Sequence, residues 1–380
     1  MKVLIMNLTF YPKVGGVENS LRALCESFAN SGYDVTVVTS DVVDGSGIKY
    51  SDNEHMFGAK IRRFTRKHFL SYFFSCYRLL KELDRSEKFN LVISRSHITT
   101  YLAYHAGFRN IKYVLPGIVK NQYDMRYLST RNIVSFMKVK FNSYIQKKSL
   151  TMAQKNLVFS DTMYHQARSI SPSAVIEKIY PGCDDKRFYS SSEEKVYLRA
   201  RYGFHQNHKI LLCVGRLFKV KGFEHAIKSL LSLPSDYVLV ILGSGPEFGA
   251  LVQICERLEL KDRVFFYKDS NEPELFYRLS DGFLFTSLYE PFGQVLLEAT
   301  FSKLKIFAFD PTVILEVDTA TRQIFKGYES LICYVESLDS LDERIKNEFD
   351  IFVLDDGLVN SFIEKFSWGK TAESLSADVD

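Results

Sequence analysis

Two glutamates that stand eight residues apart, Glu290 and Glu298, are the side chains best placed to hold and act on a ligand. Pro291 directly follows the first of them, and proline is best tolerated in the first turn of a helix. We therefore expect a helix to begin there, with the amides of residues 292–294 in its first turn, where they suit an anionic or polyhydroxyl ligand. Eight residues make about two turns of about 3.6 residues each, so both carboxylates should lie on one face and hold an elongated ligand at two points.

Two glutamates at this spacing also occur on ordinary solvated helices. The context favours a site, because the apolar run at 283–285 predicts a buried strand that leads directly into the first acid. A strand, an acid, Pro-Phe-Gly and a second acid follow one another in this stretch.

Two cations follow another predicted strand. Arg216 and Lys221 stand in the pattern Gly-Arg-Leu-x-x-x-Lys-Gly, which starts at Gly215 and opens a helix. Arginine can bind a phosphate through two parallel hydrogen bonds and lysine supplies a point charge, so the pair suits a diphosphate at the carboxyl edge of a parallel sheet. Gly243 and Gly245 follow the next predicted strand and should lie on the same edge. The alternative is a pair of ordinary surface cations in a loop.

A glycine pair, Gly15 and Gly16, follows the first predicted strand and opens a helix. It allows close backbone approach to a phosphate, although a glycine pair in a loop is also a common turn. The spacing Gly-x-Gly-x-x-Gly is absent, which argues against a nicotinamide enzyme.

These residues need two sheets to position them. Apolar runs predict strands at 2–6, 34–39, 89–94, 111–115, 156–160, 175–180, 208–214, 237–242 and 263–267. Helical patterns alternate with them, which is typical of doubly wound α/β domains. Turn residues at 180–188 mark the best domain boundary. The sequence therefore predicts two Rossmann-like domains.

The composition is that of a globular protein, with 380 residues, 46% hydrophobic and 25% charged. No apolar run reaches the roughly 18 residues of a membrane-spanning helix, and the first residues are typical of a strand rather than a signal peptide. The six cysteines are scattered, as expected of buried thiols in a reducing compartment. We therefore expect a cytoplasmic location.

The stretch from 281 to 300 resembles the E-x7-E motif of the retaining glycosyltransferases of family 4, which have the two-domain GT-B fold. The resemblance extends to Gly-Gly-x-Glu at 15–18, to the interdomain segment at 180–188, to Gly-Arg-Leu-x-x-x-Lys-Gly and to Phe-Ser-Trp at 366–368. It implies an acceptor-binding domain at 1–180, a nucleotide-sugar-binding domain at 181–365, and a final helix at 366–380 that crosses back to the first domain.

The resemblance also implies roles for individual residues. Glu290 contacts the donor sugar, and Glu298 takes the ribose hydroxyls of the nucleotide. Arg216 and Lys221 neutralise the departing diphosphate, as the catalytic residues together with Glu290. The remaining implied donor contacts are glycines and amides: Gly15, Gly16, Gly215, Gly243, Gly245, Phe292, Gly293 and Gln294.

The chain departs from the family pattern at two places. The family usually has a histidine that contacts the donor sugar where this chain has Leu-Pro-Gly-Ile at 115–118, although His97 matches another frequent histidine and is a candidate for acceptor or sugar contact. The family's glycine pair after the next-to-last strand is also missing, beyond Asp310. Both departures bear on sugar specificity and on catalysis.

The two halves differ in charge. Residues 1–180 hold 26 Lys and Arg against 13 Asp and Glu, whereas residues 181–380 hold 23 against 32. Basic, aromatic segments at 60–88 and 109–155 carry much of the excess. They are either solvated helix faces or a surface for anionic lipid, which we expect to involve Arg62, Arg63, Arg66 and Lys67. Nucleic acid is not expected, because no DNA- or RNA-binding signature accompanies the charge.

The sequence therefore predicts a retaining, metal-independent glycosyltransferase that moves a sugar from a UDP- or GDP-linked donor to a saccharide or lipid-linked acceptor, in cell-surface polysaccharide or glycolipid synthesis. It requires no cofactor, and its active site is expected in the cleft between the domains. The alternatives are an epimerase or hydrolase of sugar nucleotides on the same fold, and a nucleotide-sugar-binding protein without catalysis.

Overall fold

A computed structural model describes residues 1–12, 15–41, 50–66, 69–119, 133–268, 270 and 272–378. The chain forms two compact units. Unit 1 consists of Met1–Gly182 with Ser367–Asp380, and unit 2 consists of Cys183–Phe366.

Unit 1 alternates strands and helices. Its elements are β1 (Lys2–Met6), α1 (Gly16–Asn30), β2 (Asp34–Ser40), β3 (Glu54–Met56), β4 (Ala59–Phe64), α2 (Phe69–Ser86), β5 (Leu91–Ser94), α3 (His97–Ala106), β6 (Ile111–Val114), α4 (Ile133–Met152), β7 (Lys155–Val158), α5 (Asp161–Ile170) and β8 (Ile176–Lys178). The strands form one sheet in the order β3-β4-β2-β1-β5-β6-β7-β8. All neighbours are parallel except β3 and β4, which are antiparallel.

Strand β1 lies in the middle of this sheet and is buried on both faces, as parallel strands usually are. Val3 and Ile5 point into the apolar layer that includes Leu21 of α1. Leu4 and Met6 point into the opposite layer, under α2 and α3. The period of two along a strand thus places helices on both faces of the sheet.

Unit 2 follows the same plan. Its elements are α6 (Ser192–Tyr202), β9 (Lys209–Val214), a 3-10 turn (Lys219–Lys221), α7 (Phe223–Ser229), β10 (Tyr237–Leu242), α8 (Phe248–Arg257), β11 (Val264–Tyr267), α9 (Glu274–Leu279), β12 (Gly282–Phe285), β13 (Tyr289–Glu290), α10 (Gln294–Phe301), β14 (Lys305–Phe309), β15 (Asp318–Thr319), α11 (Thr321–Ile324), a second 3-10 turn (Glu329–Leu331), β16 (Ile332–Val335), α12 (Leu341–Glu348) and α13 (Asp356–Lys365). Six strands form a parallel sheet in the order β11-β10-β9-β12-β14-β16, and β13 pairs with β15.

The last helix, α14 (Trp368–Ser376), belongs to unit 1. Buried Lys112 of β6 donates to the carbonyl oxygen of Leu375 at 2.8 Å, and Lys155 of β7 binds Asp378 at 2.7 Å. Ser27 of α1 also donates to the carbonyl oxygen of Trp368 at 3.3 Å. These contacts tie the end of the chain to the first sheet.

The predicted α/β class with two doubly wound sheets is confirmed. The sequence did not predict β3 and β4, which lie at the edge of the first sheet and begin the basic segment at 60–88. The residues Ala-Lys-Ile-Arg at the start of β4 nevertheless alternate apolar and polar side chains, and this sequence pattern could have indicated a strand.

Candidate active site

The carboxyl edge of the unit 2 sheet brings the predicted glycines together. Gly215 follows β9, and Gly243 follows the neighbouring strand β10 with a φ of +150°. A Cβ atom on Gly243 would lie 1.9 Å from the carbonyl oxygen of Gly215, so the close approach of these two loops requires glycine. The amide of Leu217 donates to the carbonyl oxygen of Ser244 at 2.8 Å and fixes the loops against each other.

Gly222 positions the cation that precedes it. Its φ of +62° is left-handed, and a Cβ atom there would lie 2.2 Å from the carbonyl oxygen of Thr286. The hydroxyl of Thr286 donates to the carbonyl oxygen of Lys221 at 2.9 Å. The amide of Leu288 donates to the carbonyl oxygen of Val220 at 2.8 Å. The turn that carries Lys221 is therefore fastened to the segment after β12.

Lys221 and Glu290, which the sequence places 69 residues apart, form an ion pair between Nζ and Oε2. The two side chains expose 19% and 20% of their surface, so water screens the pair only in part. The alkyl chain of Lys221 passes over Gly215, with its Cε 3.6 Å from where a Cβ of that glycine would lie. The pair therefore sits above the loop that follows β9.

Arg216, unlike Lys221, has no ion pair among the described residues, so its guanidinium can bind a ligand. It is exposed, and its Cζ lies 5.1 Å from the centroid of the Phe218 ring. No carboxylate lies within ion-pair distance of it in the described part of the chain. Arginine stacked in this way is partly ordered while its five donors stay open to a ligand.

The predicted start of the helix near Pro291 is wrong. Glu290 lies in β13, which pairs with β15, and α10 begins only at Gln294. The physical reason is Gly293, whose φ of +93° is left-handed and incompatible with a helical turn. The amides of Phe292 and Gly293 lie before the helix, and the two-turn argument that put both carboxylates on one helical face does not hold.

Glu298 lies inside α10 and has its own partner. The hydroxyl of Tyr277, a fully buried residue of α9, donates to Oε2 of Glu298 at 2.7 Å. Burial raises the pKa of Glu298 to about 7, against the opposing effects of the Tyr277 hydrogen bond and of the charge on Arg187. Near neutral pH this carboxyl is therefore poised between its acid and its carboxylate.

Tyr277 belongs to the candidate site through its contact with Glu298, and its residue type and spacing did not predict it. Its ring stacks on Phe283 of β12 with centroids 5.7 Å apart, and meets Phe188 edge-on at 5.2 Å. Beside it, Arg187 binds Glu274 at 2.7 Å. An apolar position on a short helix gave no sign of the hydroxyl's role. Tyr277 lies on α9 and Glu298 on α10. Their contact can be recognised only once the packing of these two helices is known.

Two family models match this chain. "Glycosyltransferase Family 4" matches residues 14–187, and "Glycosyl transferases group 1" matches residues 196–347, so that together they span most of both units. The chain is a family 4 glycosyltransferase.

Two of the curated relatives match this glycosyltransferase over three quarters or more of both chains. An uncharacterized glycosyltransferase of Methanocaldococcus jannaschii is 24% identical over 98% of this chain and 96% of its own. The N-acetyl-alpha-D-glucosaminyl L-malate synthase of Bacillus anthracis is 26% identical over 77% of this chain and 75% of its own. Among solved structures, Anabaena HepE in complex with UDP and glucose matches with a TM-score of 0.69 and 18% identity, over 100% of this chain and 96% of that one. The last similarity confirms the GT-B fold.

The glycine pair of the glycosyltransferase opens α1, which begins at Gly16. Gly15 has extended backbone, and a Cβ atom there would lie 2.6 Å from the Glu18 carboxylate. Oε1 of Glu18 accepts a hydrogen bond from the hydroxyl of Thr9 at 2.6 Å. The loop after β1 and the first turn of α1 are joined by this contact.

His97 lies at the carboxyl end of β5, where it begins α3 behind the capping residue Ser96. Its Nε2 lies 3.2 Å from Oδ1 of Asn142 on α4, and burial lowers its pKa. In the place of the family's second histidine, the segment after β6 is held by Gln146, which donates to the carbonyl oxygen of Gly117 at 2.9 Å and accepts from the amide of Val119 at 2.9 Å.

An ion pair follows β14, where the family pattern has the glycine pair that this chain lacks. Asp310 is buried, and both of its oxygens accept from Arg322, whose Nε lies 3.1 Å from Oδ1. The guanidinium of Arg322 also lies 3.7 Å from the centroid of the Tyr334 ring. Burial alone would raise the pKa of Asp310, but the hydrogen bonds from Arg322 and Thr312 outweigh it and hold the pKa at about 2.

The prediction that Arg62 and Arg63 contact lipid is wrong. Arg62 binds Asp52 and Glu82, and the side chain of Arg63 is 1% exposed and binds Glu54. Their charges are occupied because β4 places them against neighbouring acids. Lys67 lies outside the described residues, and the side chain of Arg66 is exposed.

Helix α4 instead carries an exposed basic and apolar stripe. Its members are Phe136, Met137, Lys138, Lys140, Phe141, Tyr144, Lys147 and Lys148. Met137 exposes 67% of its surface and Phe136 57%, and residues 133–152 contain no acid. Phe73 of α2 meets Phe141 edge-on at 5.9 Å, beside Phe74, which is 73% exposed. We call the exposed residues of α4 named above, from Phe136 to Lys148, the α4 stripe.

No helix in the described residues combines the length and the apolarity needed to cross a bilayer. Within the same residues, no three His, Cys, Asp or Glu side chains lie together as the ligands of a metal ion would.

Proposed function

We propose that this glycosyltransferase is a retaining, metal-independent enzyme that moves a sugar from a UDP- or GDP-linked donor to a saccharide or lipid-linked acceptor. The acceptor would belong to the synthesis of a cell-surface polysaccharide or glycolipid. The observation that carries the proposal is the Lys221–Glu290 ion pair, which lies above the loop after β9 that also carries Arg216, at the carboxyl edge of the unit 2 sheet.

The two cations supply what departure of a diphosphate needs. When the bond between sugar and diphosphate breaks, negative charge builds on the leaving oxygens, and positive groups fixed in advance lower the barrier. Glu290 and the Gly222 turn hold Lys221 in place before any ligand arrives. Arg216 can bind two oxygens at once because no acceptor among the described residues occupies its fork of donors. Neutralisation by these side chains is the basis for proposing that no metal is needed.

The two acids divide the donor between them in this proposal. Glu290, paired with Lys221, contacts sugar hydroxyls while the ammonium contacts the diphosphate. Glu298 accepts the ribose hydroxyls through its carboxylate, next to the Tyr277 hydroxyl. UDP and glucose in Anabaena HepE support a UDP-linked donor, because that protein shares the fold of this chain.

A thermal-shift screen of nucleoside diphosphates and their sugars tests the donor. A ligand that binds only the folded protein raises its melting temperature according to its affinity, so UDP or GDP and the matching sugar should raise it. Turnover of that donor should then persist in EDTA, and NMR of the product should show the anomeric configuration of the donor.

Different outcomes would favour the alternatives. Consumption of the donor without any acceptor would indicate an epimerase or hydrolase. Binding of the donor without its consumption in the presence of any acceptor would indicate a nucleotide-sugar-binding protein. Loss of all turnover in EDTA, restored by magnesium or manganese, would contradict metal independence.

We also propose that the α4 stripe rests on anionic lipid at the cytoplasmic face of a membrane. Lys140 lies 5.4 Å from the Phe136 ring and Lys148 5.7 Å from the Tyr144 ring, so charge and apolar surface alternate along one face. Rings of this kind enter the headgroup region while each nearby lysine contributes about 1 kcal/mol on an anionic surface. A lipid-linked acceptor would be reached from such a position.

Sedimentation with vesicles tests this surface. The protein should pellet with vesicles of phosphatidylglycerol and phosphatidylcholine at low salt, and less so at physiological salt, where the Debye length is about 8 Å. Reversing Lys138, Lys140, Lys147 and Lys148 to Glu should release it without changing nucleotide binding. If the parent protein ignores these vesicles at low salt, the proposal is wrong.

A further inference from the structure

Arg95 is a buried cation at the carboxyl edge of the unit 1 sheet. It directly follows β5, and its amide donates to the carbonyl oxygen of Met6 at the end of β1 at 2.9 Å. The residue exposes only 4% of its surface. Its guanidinium lies over the ring of Phe159, which follows β7, with Cζ 5.2 Å from the centroid. The side chain therefore extends from β5 past β6 toward the end of β7.

Among the described residues, the guanidinium of Arg95 has no hydrogen-bond acceptor. Its Nε is buried from solvent and unpartnered, and no hydrogen bond or ion pair to its other nitrogens exists among the described residues. The other buried arginine among the described residues of this unit also has an unpartnered Nε, but its terminal nitrogens have acceptors. Arg63 donates to the carbonyl oxygens of Ser40 at 3.2 Å and Tyr11 at 3.0 Å, and it binds Glu54 at 3.3 Å.

A buried charge without a partner is unfavourable, because burial removes its hydration and nothing replaces it. The effect is visible in Arg95, since burial lowers its pKa to about 10. Glu18 and the hydroxyl of Tyr113 are the groups that oppose this shift. The Glu18 carboxylate accepts from Thr9 at 2.6 Å, and Gln146 donates to the Tyr113 hydroxyl at 3.3 Å.

The surroundings of Arg95 favour an anion. Helix α3, ten residues long, begins two residues later, and its first amides lie at the positive end of the helix dipole. The ends of β1 and β6 border the same edge, since these strands flank β5 in the sheet. A phosphate or carboxylate entering here would meet an arginine fork that matches its geometry.

We propose that Arg95 binds an anionic group, a phosphate or a carboxylate, on the acceptor of this glycosyltransferase. This inference rests on the proposed function, in which Arg216 and Lys221 already serve the donor diphosphate. It narrows the acceptor to molecules that carry an anionic group.

The test compares the full chain with its Arg95→Met variant in thermal-shift titrations. The probes are inorganic phosphate and malonate, with sodium chloride at equal ionic strength as the blank. At least one anion should raise the melting temperature of the parent, and Arg95→Met should weaken that binding by at least about tenfold, as loss of a charged bidentate contact predicts. Without anions, Arg95→Met should melt at a higher temperature than the parent, because it removes an unpartnered buried charge.

Arg63→Met is the matched control. It removes a buried arginine that has acceptors, so it should lower the melting temperature and keep the anion-induced rise. Arg95→Lys, which keeps the charge without the fork, should bind the anion with intermediate affinity, and it serves if Arg95→Met does not fold. The larger of the phosphate and malonate effects identifies the kind of anion.

Binding of the nucleoside diphosphate found in the donor screen separates the possible failures. It should be equal in the parent and in Arg95→Met. If Arg95→Met loses nucleoside diphosphate instead, Arg95 belongs to the donor and the inference is wrong. It is also wrong if the parent shows no anion effect, or if the variant shows the same effect as the parent. If the parent binds no nucleoside diphosphate, the proposed function fails while the anion titration stays readable.

Discussion

The ammonium of Lys221 is bound to the carboxylate of Glu290, and both side chains are about four-fifths buried. The cation proposed for the leaving diphosphate and the acid proposed for the sugar are therefore already paired before ligand binds. Such a pair restricts the position of each side chain, so a substitution of one residue should alter the position of the other side chain.

We expect Lys221→Met and Glu290→Gln each to lower turnover at least about tenfold, because each removes charge that is preorganised at the reacting centre. The double variant should lose less than the product of the two single losses, since the partners act together. Steady-state kinetics on the donor found in the screen measures this. Lys228→Met, an exposed lysine on α7, is the control and should keep the parent rate. Full activity in Lys221→Met would show that the ammonium has no catalytic part.

Arg216→Ala should lower turnover at least about tenfold while leaving stability unchanged, because its guanidinium has a ring contact but no ion pair among the described residues. Arg201 is a matched control, an exposed arginine whose Cζ lies 5.6 Å from the Tyr202 ring. Arg201→Ala should change neither property. Kinetics and urea denaturation of both variants measure the difference, and equal activities of the two would remove Arg216 from the site.

Only part of the site could be predicted from the sequence. Glu290, Lys221 and the glycines at strand ends were recognisable because their types and local spacing suit phosphate and sugar. The start of α10 was predicted too early, because Pro291 favours the first turn of a helix. The left-handed conformation of Gly293 prevents a helix from starting before Gln294, and it decides where α10 begins.

Pairings between distant segments could not be predicted. Tyr277 meets Glu298 only because α9 and α10 pack together, and residues 289–290 form a strand only because residues 318–319 lie beside them. The acids that neutralise Arg62 lie on either side of it in the chain, and their contact depends on how β4 and α2 pack. The alternation of strands and helices, by contrast, is a local property and was predicted correctly.

The raised pKa of Glu298 predicts a pH effect on stability. The folded protein keeps this proton up to about pH 7, whereas an unfolded chain releases it near pH 4.5, so the free energy of unfolding should fall as pH rises through that window. Glu298→Gln carries no such proton and should remove this part of the pH dependence. Urea titrations of both proteins between these pH values measure this effect as the difference between their free energies of unfolding. Parallel profiles would mean that the carboxyl titrates normally.

The same group predicts that donor binding strengthens with pH. Ribose hydroxyls donate to a carboxylate better than to a neutral acid, so affinity for the nucleotide-sugar donor, whose diphosphate is esterified at both ends and does not titrate in this range, should increase between about pH 6 and pH 8. Glu298→Gln should bind weakly and without this dependence. A parent affinity that declines over this range would contradict the proposed ribose contact.

The Asp310–Arg322 ion pair is expected to stabilise unit 2. Asp310→Asn should lower the free energy of unfolding by about 2 kcal/mol at neutral pH, the usual effect of losing charged hydrogen bonds. Because the folded pKa is about 2, this contribution is present above about pH 4 and lost as pH falls toward 2. Urea denaturation at several pH values measures it, and an unchanged midpoint at pH 7 would show the pair to be neutral.

Calorimetric titration of UDP and GDP into the parent protein and into Glu298→Ala tests the central assignment most directly. We predict that one nucleotide binds the parent saturably, and that Glu298→Ala weakens it by at least about tenfold, as loss of a charged hydrogen bond predicts. Glu343→Ala, which alters an exposed acid on α12, should bind like the parent. Equal affinity of Glu298→Ala and the parent, or no binding of either nucleotide to the parent, would contradict the account of this site.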